Sequence, residues 1–167
     1  MKKLTFGVAS LIASISVFAA PPPRPKVFGA AQVQEVYRVV LDRDGLLLES
    51  IKEVIREKGV RDGHVSITAG SVQECTYHYV VSKDAKPKDE FTTMKDPAEI
   101  LGGGGIIADG EPHIHITLST PAKGAFGGHL ENGCRILYLG EVTITKYSGP
   151  ALTRKQNANG ISILTEK

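Results

Sequence analysis

What this sequence is short of narrows its roles before any motif is read. It has two cysteines, Cys75 and Cys134, in 167 residues, which allows at most one disulfide. Each cysteine sits in a strand-like run and reads first as a small buried hydrophobe, with a disulfide as the alternative. A surplus of positive charge is also missing: 20 Lys and Arg face 18 Asp and Glu, without the basic footprint of a phosphate-binding protein. No Ser-His-Asp or Cys-His arrangement is evident and no paired carboxylates stand at a readable spacing, so no catalytic residue is assigned. Gly102 to Gly105 has the composition of a phosphate cradle but lacks the Lys-Ser/Thr of a P-loop, and no long helix follows it. A turn or bulge needing positive φ accounts for that run. There is no internal repeat, and only one stretch has the length and periodicity of a substantial helix.

The one uncharged apolar run lies at the start. Lys2 and Lys3 precede Leu4 to Phe18, and Ala19-Ala20-Pro21 follows. A charged lead, a short apolar stretch and small residues describe a secretory signal peptide, expected at residues 1–19 with cleavage after Ala19. The apolar stretch is too short for a comfortable membrane span. The expected location is therefore the periplasm or the exterior. Taking the two lysines of that segment from the 20 basic residues leaves 18, equal to the 18 acids, so the mature chain is formally neutral. The 148 residues that remain of 167 suffice for one domain with its own core. Residues 20–32 form a proline-rich extended lead-in, 33–147 the domain, and 148–167 a polar tail. Ile161, Ile163 and Leu164 in that tail offer a short edge strand.

The domain reads as α+β. Gln34 to Leu41 is a strand, and Asp42-Arg43-Asp44-Gly45 a turn with Asp44 as helix N-cap. Leu46 to Lys58 is the helix, with Leu47, Leu48, Ile51, Val54 and Ile55 on one stripe and Gly59 beyond its C-terminus. His64 to Ala69 and Val72 to Val81 are strands separated by a hairpin-like break at Gly70-Ser71. Glu90 to Met94 is a short strand, and Asp96-Pro97 opens a turn or a single helical turn. Asp109-Gly110 is a strong hairpin signal, which sets Ile106-Ile107 opposite His113 to Leu118. Arg135 to Thr145 is the last well-defined strand of the domain.

One segment suggests chemistry rather than packing. Pro112-His113-Ile114-His115-Ile116-Thr117-Leu118 alternates polar and apolar, so His113 and His115 share a strand face. Their Cα atoms are expected roughly 6.5–7 Å apart, a span that two imidazoles close around one metal ion. His129, after Gly127-Gly128, supplies a third nitrogen. The plain alternative is a pair of polar residues on a solvated face. Neutral imidazole suits zinc, copper, nickel and iron, and zinc is the expected ion. Three protein ligands leave a coordination position open to a small molecule or anion. Glu141 is a candidate acceptor for an imidazole N–H, or a surface carboxylate. His64 and His78 read as structural strand residues.

These motifs in this order resemble the PPC domain, the plant- and prokaryote-conserved domain long labelled as predicted DNA-binding. The resemblance runs from about Val33 to Tyr147. It rests on Asp109-Gly110-Glu111-Pro112-His113-Ile114-His115, Gly127-Gly128-His129-Leu130 and Gly140-Glu141-Val142-Thr143-Ile144. It implies an antiparallel sheet packed on a helix and assembly of three chains. In plants such domains follow an AT-hook, whose core is Arg-Gly-Arg-Pro. Here Pro22-Pro23-Arg24-Pro25-Lys26 lacks the glycine and the second arginine that enter a minor groove. The expectation is thus an exported homotrimer that binds a divalent transition metal through His113, His115 and His129. Export removes the chain from the chromosome, so nucleic acid is not an expected partner. Two alternatives stand beside this reading. A DNA-binding module would need Lys83, Lys86, Lys88 and Arg154-Lys155 on one face, with Asp84, Asp89 and Glu90 interleaved. A metal-free structural module would use the histidines at subunit contacts.

Overall fold

The apolar alternation read from the sequence becomes a sheet whose inner face is the core. A computed structural model describes residues 22–167; the expected signal peptide at 1–19 lies outside the described residues. The elements run β1 (Gln32–Asp42), α1 (Leu47–Glu57), β2 (Gly63–Val80), β3 (Asp89–Met94), β4 (Ala98–Ala108), β5 (Glu111–Thr120), β6 (Gly124–Leu130), β7 (Arg135–Ser148), β8 (Leu152–Gln156) and β9 (Ser162–Glu166). Seven strands form one sheet in the order β1-β7-β2-β4-β5-β6, with β3 on β2, and every pairing is antiparallel. The sheet curls until β6 meets β2 again, Tyr77 opposite Leu130 and His78 opposite His129. The circuit β2-β4-β5-β6 is therefore closed on itself. With one 11-residue helix among the described residues, the fold is a mostly antiparallel sheet, and α+β describes it only loosely. No described helix is long and apolar enough to cross a membrane.

α1 buries Leu47, Leu48, Ile51 and Ile55 against core residues that include Val65, Ile136 and Ile144. Burial of each such side chain contributes about 1.5–3 kcal/mol. Asp44 is not its N-cap. It takes a positive φ of 69° and accepts a hydrogen bond from Gln73 Nε2 at 2.6 Å. Leu46 flanks the helix without a side-chain cap. The Leu47 N–H donates instead to the Cys134 carbonyl at 2.8 Å, so a neighbouring chain segment does what a capping side chain would. Gly59 ends the helix at φ 59° as expected.

Gly70-Ser71 is not a hairpin. β2 runs straight through it, and the irregularity appears as register shifts against β7 around Ala69 and Gly70. A two-residue hairpin of the common kind needs two consecutive positive φ angles, which Asp109 (55°) and Gly110 (84°) have. Gly70 has one, 144°, and a Cβ there would lie 2.6 Å from the Leu139 carbonyl oxygen. The glycine run is not a turn either. Gly103, Gly104 and Gly105 are strand residues between Ile67, Ser66 and Val65 of β2 and Ile116, His115 and Ile114 of β5; the expected bulge is confined to Ile100/Gly102. Asp96-Pro97 forms no helical turn. The polar tail makes its own hairpin, β8 with β9, rather than an edge strand of the main sheet. Asn157 Oδ1 closes its turn by accepting from the Asn159 and Ile161 N–H groups.

Cys75 and Cys134 are joined by a disulfide, with Cα atoms 3.8 Å apart and a sequence separation of 59. Both are fully buried. A loop of that length is worth about 4 kcal/mol in the chain-entropy picture. Replacing both cysteines by alanine should lower the unfolding free energy by about 2–4 kcal/mol in urea titrations. An unchanged midpoint would contradict the stapling role.

Candidate metal centre

The pleat of β5 buries Ile114, Ile116 and Leu118, which turns His113 and His115 to the opposite face. Across the ladder, His115 stands opposite His129 of β6, and His129 stands opposite His78 of β2. Directly opposed residues bring side chains within contact, so three strands present a row of imidazoles. Ring centroids lie 4.5 Å apart for His113 and His129, 5.4 Å for His115 and His129, and 5.5 Å for His113 and His115. One ring nitrogen from each of the three lies within 4.8 Å of the others. His78 stacks on His129 at 4.5 Å, and His78, His129 and Glu131 form a second group of the same tightness.

Backbone without side chains makes this possible. A Cβ at Gly127 would overlap the Ile116 carbonyl, and one at Gly128 would overlap the His78 carbonyl. These two glycines let β6 press against β5 and β2 at once, and His129 follows directly.

The electrostatics favour neutral rings. Burial, followed by the charges of His113 and His78, lowers the His129 pKa from 6.5 to about 4, with Glu131 opposing. Burial also lowers the His113 pKa, and the Arg154 charge is the next cause. Neutral imidazole is the ligating form. His78 Nδ1 lies 2.7 Å from Glu131 Oε1. A carboxylate only accepts, so Nδ1–H donates and the Nε2 lone pair of a neutral His78 is left free. The rings open on a cavity of about 430 Å³, lined also by Tyr79, Val80, Pro87 and Asp89 and by Gly160, Ile161 and Ser162 of the β8–β9 hairpin.

The structure thus brings His113, His115 and His129 together. It also adds His78, which looked structural, because the β2–β6 pairing that delivers it joins segments about 50 residues apart with no local signature. Glu141 is not near the rings. It lies on β7 opposite Val40 and Ala69, on a separate groove shared with Arg38, Thr68 and Thr143. The carboxylate placed on an imidazole is Glu131, two residues past His129. His64 stays apart, opposite Ile106 and Thr145. Of the cations weighed for a nucleic-acid face, Lys88 pairs with Asp84 at 3.7 Å, and Arg154 is half-buried on β8.

The sequence pattern of the Plants and Prokaryotes Conserved (PCC) domain matches residues 28–148. No curated protein sequence matches the chain. Among solved structures, a metal-containing protein from Archaeoglobus fulgidus is 27% identical, with a TM-score of 0.71 over 84% of this chain and 99% of that one. A plant- and prokaryote-conserved (PPC) protein from Pyrococcus horikoshii is 22% identical, with a TM-score of 0.71 over 85% and 99%. A protein from Bacteroides thetaiotaomicron, provisionally called DNA-binding, is 22% identical, with a TM-score of 0.70 over 81% and 97%.

The depressed His129 pKa has a consequence for the metal-free protein. In the unfolded chain this ring takes its proton near the ordinary 6.5, in the fold near 4. Between those values the unfolded state binds the extra proton, so stability falls as pH drops from about 6.5 to about 4. Denaturant titrations in chelator should show that decline, and His129→Gln should flatten it. A slope that the substitution leaves unchanged would refute the burial of this ring.

Proposed function

The chain belongs to the Plants and Prokaryotes Conserved domain family, and from that premise we propose that it is an exported, three-chain assembly that binds a divalent transition metal through His113, His115 and His129. The observation that carries this reading is the convergence of three ring nitrogens within 4.8 Å. Two of these rings are biased toward the neutral form, as ligation requires. The donor set fits such an ion: imidazole nitrogen suits zinc and its neighbours in the first transition row, and zinc is the ion we name. A metal-containing relative at 27% identity is in keeping with it. A bound ion would keep a coordination position open for an outside ligand and would act there as a Lewis acid. His78, oriented by Glu131, stands at the edge of that sphere as a positioning pair.

Export is supported by the charged and apolar start of the sequence and by a buried disulfide, a bond that persists in oxidising compartments. Three-chain assembly draws support from the open edge strand β1. Val36 and Val40 there are 53% and 68% exposed, and Tyr138 of β7 is 69% exposed. An apolar strip on an unpaired edge invites a second copy. The DNA-binding label of one structural neighbour finds less support, because the mature chain has no surplus of cations and Lys88 is paired with Asp84.

Purified protein should carry close to one metal per chain by elemental analysis, and His115→Ala should carry almost none. Wild-type protein free of metal at neutral pH, even after incubation with zinc, would end this reading. Light scattering should give a mass near three chains, and the double substitution Val36→Lys with Val40→Lys should shift it to one. A wild-type monomer at tens of micromolar would remove the assembly.

A further inference from the structure

His113 and His115 share one face of β5, yet they are unequally covered: His113 is half-buried and His115 exposed. On the free face of an antiparallel sheet both would stand in water. Their neighbours differ. Opposite His115 on β4 is Gly104, which has no side chain; opposite His113 is Ile106, on the strand that β8 approaches. The β8–β9 hairpin also supplies Gly160, Ile161 and Ser162 to the cavity that the rings line. It lies beyond residues 28–148, which the family pattern matches.

The hairpin is a two-stranded sheet of its own, without a ladder to the main sheet. An isolated hairpin is marginally stable in water, so its place depends on what ties it down. Its start is pinned at Asp62, whose Oδ1 accepts from the Leu152 N–H at 3.1 Å and whose carbonyl accepts from the Tyr147 N–H at 2.9 Å. Its end is tied by Lys167 Nζ, which donates to Asp109 Oδ1 at 2.9 Å. Ile161 and Ile163 remain 40% and 37% exposed, so little apolar burial is added to these ties. A unit so lightly held opens at small cost, independently of the core. We propose that the β8–β9 hairpin is a screen over His113, pinned at Asp62, which confines the approach of a small solute to the His115 side of the cluster. The proposal rests on the histidine cluster being a site that an outside ligand visits, and not on which ion the rings hold. The volume of about 430 Å³ falls within the range of small-ligand clefts, roughly 300–1,000 Å³.

The probe is diethyl pyrocarbonate, a small reagent that acylates accessible imidazoles, used on chelator-treated protein at neutral pH with each ring followed by peptide mass spectrometry. In the wild type His115 should react ahead of His113. Asp62→Ala removes the acceptor of the Leu152 N–H and should speed labelling of His113 about fivefold, the factor that one lost hydrogen bond gives to a local opening. His115 should keep its rate. Asp62→Asn retains an acceptor oxygen and should restore the slow His113 reaction. Asn157→Ala leaves Asp62 and the main sheet untouched, undoes the turn before Ile161, and should act in the same direction as Asp62→Ala. On zinc-loaded samples, transfer of the ion to EDTA should quicken in the same two variants. His113 as reactive as His115 in the wild type, an unchanged His113 rate in both Asp62→Ala and Asn157→Ala, or equal acceleration of the two rings would each overturn the proposal. A protein that holds no zinc but shows the His113 contrast would refute the metal reading and sustain this one.

Discussion

The approach of β6 to two strands at once is the constraint on which the rest of this molecule depends. An ordinary strand carries a Cβ at every residue, and those atoms keep its neighbours' carbonyls at a distance. At Gly127 and Gly128 the chain has none, where a Cβ would overlap carbonyls on β5 and on β2. β4 solves the same problem on the other side, with Gly103 and Gly105 crowded by β5 and Gly104 by β2. Two glycine-rich strands thus let a sheet of modest width curl back onto its own long strand. Glycine raises the entropic cost of ordering the chain. Burial of Ile114, Ile116, Leu118 and Leu130 along the same strands works against that cost.

Closure of the sheet is also what creates the chemistry. The Pro112 to Leu118 alternation sets two imidazoles on one face, as any amphipathic strand would. The third arrives only because β6 stands opposite His115, and the fourth only because β2 stands opposite His129. Once gathered, the rings shift one another: burial and mutual repulsion hold His129 and His113 neutral. The geometry that collects the donors also keeps them in the form that ligates.

Local regularities were legible in the sequence, and long-range pairings were not. The helix stripe, the Asp109-Gly110 hairpin and the His113/His115 face each follow from a spacing of a few residues. The Gly127-Gly128 pair marked His129 because side-chain-free backbone signals close approach. His78 carried no such sign, since its membership depends on a register between β2 and β6. Glu141 and Glu131 were indistinguishable as acidic residues beside strands, and only the curl of the sheet separates them. Gly70-Ser71 looked like a hairpin because composition does not reveal how many consecutive residues need positive φ. Resemblance to a known domain supplied the overall architecture, which spacing alone would have left at the level of strands and one helix.

The disulfide sits on the same seam as the imidazoles. Cys75 precedes His78 by three residues, and Cys134 follows Glu131 by three, so the bridge clamps β2 to the segment joining β6 and β7 beside the imidazole–carboxylate pair. Formation of this bridge and gathering of the ring row therefore act on one seam. Before the thiols join, the seam is fastened by strand pairing alone and the ring row is correspondingly easier to disperse. After they join, the donors are preorganised. Under the metal-binding reading proposed above, a change of redox environment would alter metal occupancy without touching a single ligand.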